Sequence, residues 1–262
     1  MNILVIGRGW VGHKMFTELV IRGHVVKYVP HSYNIEKAGI QHDWVVNCAG
    51  LTGKPNVDAC EKEKRKTFEA NAIFPVLLYE QCKRMNIKFA HFSSGCIYKG
   101  TIDSVNAEPN YFGSTYSISK GISDSYLIDK AVVFRIRMPF TSAYEDKNLF
   151  TKLTKYANSG KLVEGGPNSL TDLDEAVSVA CDIIERNLGV GPYNLVNTGT
   201  VTTHEIAEML GLESQWYTSE EFKAITAADR SNCVIPSYSG MSDVKEALAK
   251  RIETFRGLYD WI

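Results

Sequence analysis

A tyrosine and a lysine one helical turn apart are the residues of this chain best suited to chemistry. Tyr116 and Lys120 lie four residues apart in Tyr111–Lys120, a stretch that reads as the start of a helix, so they share one face. An ammonium group beside a phenol favours the phenolate and lowers the pKa of the phenol. Such a tyrosine can exchange a proton near neutral pH, which a phenol with the ordinary pKa of about 10 does not do. Because the pair also fits a solvated helix face, other residues of the chain are needed to distinguish a catalytic pair from a solvated one.

A glycine-rich turn between a strand and a helix opens the chain. The apolar run Asn2–Ile6 precedes G-R-G-W-V-G at Gly7–Gly12, an amphipathic stretch to Arg22 follows, and His24–Val29 reads as a second strand. Glycines permit the tight turn and the close approach of a pyrophosphate, and the helix N-terminus offers free N–H groups to phosphates. The unit predicts a dinucleotide site, with a glycine turn that binds nothing as the alternative.

The end of the second predicted strand bears on which dinucleotide binds. Tyr28–Ser32 contains no carboxylate of the kind that usually binds the adenosine ribose. Nothing there repels a 2′-phosphate, and Arg8 and His31 are available to attract one. The sequence therefore favours NADP(H) over NAD(H), while Arg8 as an ordinary surface residue stays open.

Strand and helix patterns alternate along the chain, which predicts the α/β class: a Rossmann-type doubly wound parallel sheet with a smaller C-terminal substrate-binding lobe. Residues 1–140 form the expected dinucleotide-binding domain, completed by a strand and a helix from 171–197, and residues 141–262 mainly form the lobe. The predicted strands are Asn2–Ile6, His24–Val29, Asp43–Cys48, Ile87–Ser93, Ala131–Ile136 and Gly191–Val196. The predicted helices are the stretch ending at Arg22, Val57–Phe68, Ala70–Met85, the Tyr116/Lys120 helix to about Asp129, Phe150–Asn158, one from a cap at Thr171 or Asp172 to about Asn187, Glu205–Leu210 behind a capping box at Thr202, and Ser242–Tyr259.

Two reactive side chains follow the fourth predicted strand. Residues two apart on an extended backbone face the same side, so Ser94 and Cys96 should project together. A hydroxyl and a thiol at the carboxyl end of a strand suit a catalytic site. Taken singly, Ser94 also fits a turn and Cys96 a buried apolar position.

Composition excludes several classes of function. The 262 residues carry a net charge of −1, so no overall field attracts nucleic acid or an anionic membrane. The mixed-sign run Glu61–Lys66 is interpreted as a solvated helix face. No apolar run approaches a membrane span, and the N-terminus lacks the features of a signal peptide. Six scattered cysteines without a C-x-x-C pair predict no metal site and fit a cytoplasmic protein.

Several segments spread over nearly the full length resemble a known family. They are Asn47–Asp58 (NCAGLTGKPNVD), Ser94–Ile97, Gly113–Ser117, Arg135–Pro139, Pro167–Ser169 and Arg230–Asn232. With the glycine turn and the Ser94, Tyr116 and Lys120 set, they resemble the extended short-chain dehydrogenase/reductases. Within these, the chain is similar to the dTDP-4-dehydrorhamnose reductase group, and above all to the bifunctional nucleotide-4-keto-6-deoxyglucose 3,5-epimerase/4-reductases.

The resemblance implies roles for particular residues. Ser94, Tyr116 and Lys120 would form the catalytic triad, and Cys96 and Lys152 would serve epimerisation. The residues expected to contact the dinucleotide are Gly7, Arg8, Gly9, Trp10, Val11, Gly12, His31, Asn47, Ala49, Gly50, Asn71, Tyr116, Lys120 and Met138. The residues expected to contact the substrate are Thr52, Ser94, Gly95, Cys96, Asn168 and Arg230.

The expected reaction is the NAD(P)H-dependent reduction of the C4 ketone of a UDP- or dTDP-linked 4-keto-6-deoxy sugar in L-rhamnose-type biosynthesis, together with 3,5-epimerisation. A homodimer that binds neither nucleic acid nor membrane is expected. A 4,6-dehydratase would need an Asp-Glu pair where Gly95-Cys96 stands. The remaining alternatives are a non-catalytic, dinucleotide-binding regulatory member of the same fold and another nucleotide-sugar epimerase.

Overall fold

A parallel six-stranded sheet forms the centre of the computed structural model, which describes residues 1–37, 41–160 and 162–258. The strands are β1 (Asn2–Ile6), β2 (Val25–Val29), β3 (Trp44–Asn47), β4 (Lys88–Ser94), β5 (Gly100–Thr101), β6 (Val132–Ile136), β7 (Pro139–Phe140), β8 (Leu162–Val163), β9 (Thr171–Asp172), β10 (Gly191–Asn194), β11 (Trp216–Tyr217) and β12 (Cys233–Val234). The central sheet has the order β2–β1–β3–β4–β6–β10, and every pairing in it is parallel. The predicted doubly wound parallel sheet is confirmed, with each of its strands within two residues of the predicted bounds.

Ten α-helices connect and cover these strands within the described ranges. They are α1 (Trp10–Ile21), α2 (Asp58–Lys62), α3 (Lys64–Phe68), α4 (Phe74–Arg84), α5 (Thr115–Leu127), α6 (Leu149–Asn158), α7 (Leu173–Arg186), α8 (Thr203–Leu210), α9 (Ser219–Ile225) and α10 (Val244–Leu258). The predicted caps are present: the Asp172 carboxylate accepts from two backbone N–H groups at the start of α7, and Thr202 forms a capping box with Glu205 at α8.

Three helix predictions need correction. The single helix predicted over 57–68 is two short helices, because Glu63 leaves helical geometry with φ −119° and ψ 44°. The helix predicted from Ala70 begins as a π-helical turn over Glu69–Ile73 and becomes α-helical only at Phe74. The last helix begins at Val244, and its predicted end at Tyr259 lies outside the described residues. Helix α9 was not predicted.

Alternation along the first strand shows how the sheet separates two cores. Ile3 and Val5 pack with apolar side chains of α1 and α7, whereas Leu4 and Ile6 pack with those of α4 and α5. Both sets are fully buried, as expected for a parallel strand covered by helices on both faces. A separate apolar cluster joins α6, α8 and α10 in the C-terminal part of the chain. None of the described helices is long and apolar enough to cross a membrane.

A buried ion pair fixes α5 to the sheet. The guanidinium of Arg135 on β6 donates to both carboxylate oxygens of Asp124 on α5, at 3.0 and 2.5 Å, and neither side chain is exposed. The hydroxyl of Ser93 on β4 donates to the same carboxylate at 2.6 Å. Because this network satisfies the buried charge from three elements, it sets where α5 lies against the ends of β4 and β6.

Candidate active site

One large cavity of about 1080 Å³ lies at the carboxyl ends of the central strands. Residues that follow β1, β3 and β6 line it, among them Gly7, Ala49 and Arg137. Residues from the C-terminal part of the chain, including Lys152 and Arg230, line it too. Open parallel sheets bind their ligands at this edge, and the cavity is large enough for a dinucleotide beside a second ligand.

The three glycines of the first turn have different surroundings. Gly7 has φ +108°, and a Cβ there would lie 2.5 Å from the Ala49 nitrogen. A Cβ on Gly12 would lie 2.0 Å from the Gly7 carbonyl oxygen, so Gly12 serves helix packing and does not line the cavity. Gly9 is the N-cap of α1 and receives no side-chain cap from the described residues; none of their atoms lies within 4 Å of its Cβ position, and it lines the cavity. This turn fits a dinucleotide, because its open helix N-terminus can receive the pyrophosphate.

The end of β2 provides a basic and aromatic wall. Arg8 lines the cavity, donates to the Tyr28 carbonyl oxygen at 3.3 Å, and places its guanidinium carbon 5.9 Å from the centre of the Tyr28 ring. His31 also lines the cavity and makes an edge-on contact with Phe74. Arg8 is thus an exposed residue that also lines the cavity.

Two asparagines predicted to contact the dinucleotide lie beneath the loop that follows β3. Asn47 accepts from the Ala49 N–H at 3.0 Å, and Asn71 brackets Leu51 by accepting from its N–H and donating to its carbonyl oxygen, at 2.8 and 2.9 Å. Both side chains are buried, and neither lines the cavity. They hold the backbone of Ala49 and Gly50 against the cavity, and it is this backbone that lines it.

Ser94, Tyr116 and Lys120 meet in the cavity, at the boundary between β4 and α5. Helix α5 begins where the sequence predicts, because the Ser114 hydroxyl accepts from the Ser117 N–H as an N-cap. A hydrogen bond joins the side chains of Ser94 and Tyr116. The Lys120 ammonium donates to the Phe92 carbonyl oxygen at 3.0 Å and reaches Gly50, whose Cβ position is 3.3 Å from Nζ.

The protonation of this group differs from the sequence-based expectation. Burial, together with the Cys96 thiol nearby, raises the pKa of Tyr116, although the hydrogen bond from Ser94 opposes the rise. Burial lowers the pKa of Lys120 to about 8. The net shift in the pKa of Tyr116 is therefore opposite to the one expected, because loss of solvation dominates and the Lys120 ammonium is bonded to a backbone carbonyl. At neutral pH the phenol keeps its proton.

Cys96 and Lys152, the two residues expected to serve epimerisation, also line the cavity. The predicted alternation of Ser94 and Cys96 is wrong, because Gly95–Ile97 is a 3-10 turn and not extended backbone. The Cys96 N–H donates to the Ser94 oxygen at 3.1 Å, which places both side chains at the cavity by a different geometry. Burial, and then the charge of Lys147, lower the pKa of Lys152.

Arg230, predicted to contact the substrate diphosphate, already has an anionic partner. Its guanidinium pairs with the Asp58 carboxylate at 3.0 Å and donates to the Ala228 carbonyl oxygen at 2.6 Å. Hydrogen bonding to Arg230 lowers the pKa of Asp58 against the effect of burial. Arg230 lines the cavity, but much of its charge is balanced within the protein.

Glu61 holds the N-terminus of the helix that carries Tyr116. Its carboxylate accepts from the Thr115 N–H and from the Thr115 hydroxyl, each at 2.6 Å. The interpretation of 61–66 as a solvated face is therefore wrong at its first residue, since the Glu61 side chain is only 19% exposed. A carboxylate at a helix N-terminus also interacts favourably with the helix dipole.

Most predicted site residues line the cavity: Gly7, Arg8, Gly9, Trp10, Val11, His31, Ala49, Gly50, Thr52, Ser94, Cys96, Tyr116, Lys120, Met138, Lys152, Asn168 and Arg230. Gly12, Asn47, Asn71 and Gly95 do not. Sequence reasoning missed Lys147 and Arg137, which line it too. Arg137 could have been found from its place directly after an apolar strand, where ligand-facing residues collect.

Comparison with known proteins relates the whole chain to one family. The family model described as the RmlD substrate binding domain matches residues 1–257. A trifunctional UDP-glucose 4,6-dehydratase/UDP-4-keto-6-deoxy-D-glucose 3,5-epimerase/UDP-4-keto-L-rhamnose-reductase of Arabidopsis thaliana is 33% identical over 79% of this chain and 34% of its own length. The chain thus spans about a third of that relative and of two similar ones. A bifunctional dTDP-4-dehydrorhamnose 3,5-epimerase/reductase of the same plant is 29% identical over 95% of this chain and 91% of its own.

Solved structures agree in fold. The UDP-rhamnose synthase of Acanthamoeba polyphaga mimivirus superposes with a TM-score of 0.87 at 27% identity, over 97% of this chain and 99% of that one. The dTDP-4-dehydrorhamnose reductase of Bacillus anthracis in complex with NADP gives 0.79 at 17% identity, over 96% and 98%. At that identity the second match shows the fold alone.

Proposed function

Because the chain belongs to the RmlD substrate binding domain family, we propose that it is an NADPH-dependent reductase of the C4 ketone of a nucleotide-linked 4-keto-6-deoxyhexose, on the way to L-rhamnose-type nucleotide sugars. One observation carries this proposal: Ser94, Tyr116 and Lys120 share a single cavity with the open glycine turn at Gly9. The names of the plant and viral relatives support the substrate class.

Protonation and position define the part of each side chain. NADPH, when bound, supplies the hydride for the ketone carbon. Tyr116, whose pKa is raised by burial, is protonated at neutral pH and donates its proton to the ketone oxygen. Ser94 hydrogen-bonds the same oxygen, and the Lys120 ammonium stabilises the phenolate that remains. Lys120 and the Gly9 backbone would hold the dinucleotide.

A keto-sugar-dependent assay of NADPH oxidation tests the reductase. Tyr116→Phe should abolish the activity and retain NADPH binding, because the aromatic ring stays and only the proton donor is lost. Tyr126→Phe is the matched control, since Tyr126 lies on the same helix, hydrogen-bonds Glu80 and does not line the cavity. Running the assay with both the UDP- and the dTDP-linked sugar identifies the nucleotide. A Tyr116→Phe variant with wild-type turnover would disprove the assignment.

The same cavity supports 3,5-epimerisation. Protons next to the C4 ketone are acidic enough for a thiolate to remove, and Cys96 and Lys152 line the cavity together with Tyr116. Incubation of the keto sugar in heavy water without NADPH should introduce deuterium at C3 and C5, and Cys96→Ser should prevent this. If the wild type introduces no deuterium, the chain acts only as a reductase.

The cofactor preference rests on the end of β2. We favour NADP(H) over NAD(H), because Arg8 lines the cavity and Tyr28–Ser32 brings no carboxylate. Arg8→Met should weaken NADPH binding much more than NADH binding. An equal loss for both would show that Arg8 does not contact a 2′-phosphate.

The domain division remains a proposal: residues 1–140, with 171–197, bind the dinucleotide, and 141–262 mainly bind the substrate. Exposed apolar side chains on α4 and α5, such as Leu77 and Ile122, support the expected homodimer. The six free cysteines support a cytoplasmic setting.

The two rival functions can be distinguished in the same assays. A regulatory member would bind NADPH without turnover, and another nucleotide-sugar epimerase would convert a sugar that carries no keto group.

A further inference from the structure

Arg135 on β6 and Arg137 directly after it are buried in different electrostatic surroundings. Arg135 is not exposed and is neutralised by the Asp124 carboxylate through two hydrogen bonds. Arg137, directly after β6, is 2% exposed, and no carboxylate lies within ion-pair distance of it among residues 1–37, 41–160 and 162–258. A buried guanidinium is always charged and is costly to desolvate without an anion. Arg137 therefore carries an unbalanced positive charge at the edge of the cavity.

The contacts of Arg137 show where this charge is directed. One terminal nitrogen, Nη1, donates to the Cys96 sulfur at 3.3 Å. The other, Nη2, donates to the Asn168 side-chain oxygen and the Ser231 carbonyl oxygen, each at 2.5 Å. Nε is buried and has no acceptor among the described residues. Asn168 and Ser231 offer neutral oxygens, so Cys96 is the contact that can become an anion.

Two other groups near Cys96 do not replace Arg137. Lys152 interacts electrostatically with Cys96, but burial and the charge of Lys147 lower its pKa, so it is less firmly charged than a guanidinium. Tyr116 is protonated and neutral at neutral pH, because burial raises its pKa. Arg137 is the cation in direct hydrogen-bond contact with the sulfur.

We propose that Arg137 is a positioning residue that holds Cys96 as a thiolate facing the sugar, and so makes this cysteine the base of the epimerisation. This inference rests on the proposed epimerase activity and deepens it. In the step, the C–H bond next to the ketone breaks, its proton forms the S–H bond of Cys96, and its electron pair passes into the enolate of the C4 ketone. Reprotonation of that carbon from the Lys152 ammonium on the other face restores the ketone with inverted configuration. Arg137 itself exchanges no proton.

The test measures the alkylation rate of Cys96 by iodoacetamide at neutral pH, followed by mass spectrometry of the cysteine peptides, without sugar or NADPH. A thiol without a nearby cation is only a few per cent thiolate at pH 7. Arg137→Met should therefore slow the alkylation of Cys96 about tenfold or more, and Arg137→Lys should recover most of the rate. Cys96→Ser identifies the peptide.

Cys48 gives an internal control in the wild-type protein. It also lines the cavity, and burial raises its pKa, so it should react more slowly than Cys96. If Cys96 reacts no faster than Cys48, the proposal is overturned even where Arg137→Met fails to fold. It is also overturned if Arg137→Met keeps the wild-type rate, or if Arg137→Lys reacts as slowly as a folded Arg137→Met protein.

Alkylation and deuterium exchange together test the Arg137–Cys96 ion pair and the epimerase activity separately. Fast alkylation of Cys96 without deuterium exchange into the sugar would support the ion pair and disprove the epimerase. Deuterium exchange with slow alkylation that does not depend on Arg137 would overturn the ion pair and support the epimerase.

Discussion

Alanine at two glycines of the same turn should damage two different properties of the protein. At Gly12, a Cβ would lie 2.0 Å from the Gly7 carbonyl oxygen, which is backbone and cannot rotate aside. At Gly9, no atom of the described part of the chain lies within 4 Å of the Cβ position, and φ is −101°, which any residue adopts. Gly12→Ala should therefore destabilise the fold, and Gly9→Ala should block the ligand.

The magnitudes follow from these contacts. Overpacking a well-packed site costs about 1–3 kcal/mol. Because the contact would be as short as 2.0 Å and its partner is backbone, we expect a cost at or above the top of that range. The better helix propensity of alanine offsets at most about 1 kcal/mol of this cost. We expect Gly12→Ala to lower the free energy of unfolding by at least about 2 kcal/mol. Gly9→Ala should lower the free energy of unfolding by less than about 1 kcal/mol, because the only loss is that alanine is a poorer N-cap than glycine.

Urea denaturation and a fluorescence titration with NADPH measure the two effects on the same samples. Gly9→Ala should weaken NADPH binding about tenfold or more, a loss of about 1.4 kcal/mol, since its methyl group would lie where the pyrophosphate approaches the helix N-terminus. Wild-type NADPH affinity in Gly9→Ala would refute this placement of the dinucleotide. Wild-type stability in Gly12→Ala would refute the packing argument.

Three further predictions concern stability. Asp124→Asn should lower the free energy of unfolding by about 3–5 kcal/mol in urea denaturation, because it leaves Arg135 buried without its anion. Burial lowers the pKa of Lys120 from 10.5 in the unfolded chain to about 8 in the fold, so between these pH values the unfolded chain binds more protons. The stability of the wild type should therefore rise relative to Lys120→Met as the pH increases through this window, and a constant difference would contradict the assignment. Thr202→Ala removes the N-cap of α8 and should lower the free energy of unfolding, measured by calorimetry, by about 1 kcal/mol.

The parts of the fold that depend on local pattern were predictable. The apolar runs around Ile3 and Val45, alternating with helix patterns, predicted the strands of a parallel sheet, because strands buried on both faces read as continuous apolar runs. The capping box at Thr202 was predictable for the same reason, since both partners lie within one turn of sequence. The break at Glu63 was not, because nothing in the local composition distinguishes it from a continuous helix.

The electrostatics of the site depended on tertiary contacts. Sequence spacing brought Tyr116 and Lys120 to one face of α5 but gave the wrong direction for the pKa of Tyr116, since burial raises it. Similarly, the resemblance predicted a substrate contact for Arg230, whereas its pairing with Asp58 joins residues far apart in sequence. Neither effect can be obtained from neighbours along the chain.

The contact of Glu61 with Thr115 has a practical consequence for protein engineering. Glu61 begins a run of charged residues, 61–66, that looks like an ideal place for charge reversal to improve expression or crystallisation. Substitution of Arg65 changes a side chain that is 91% exposed and does not line the cavity, so it should be harmless. Substitution of Glu61 would remove the carboxylate that holds the start of the helix carrying Tyr116, and would yield a folded but inactive protein. A surface-redesign library should therefore keep Glu61 fixed.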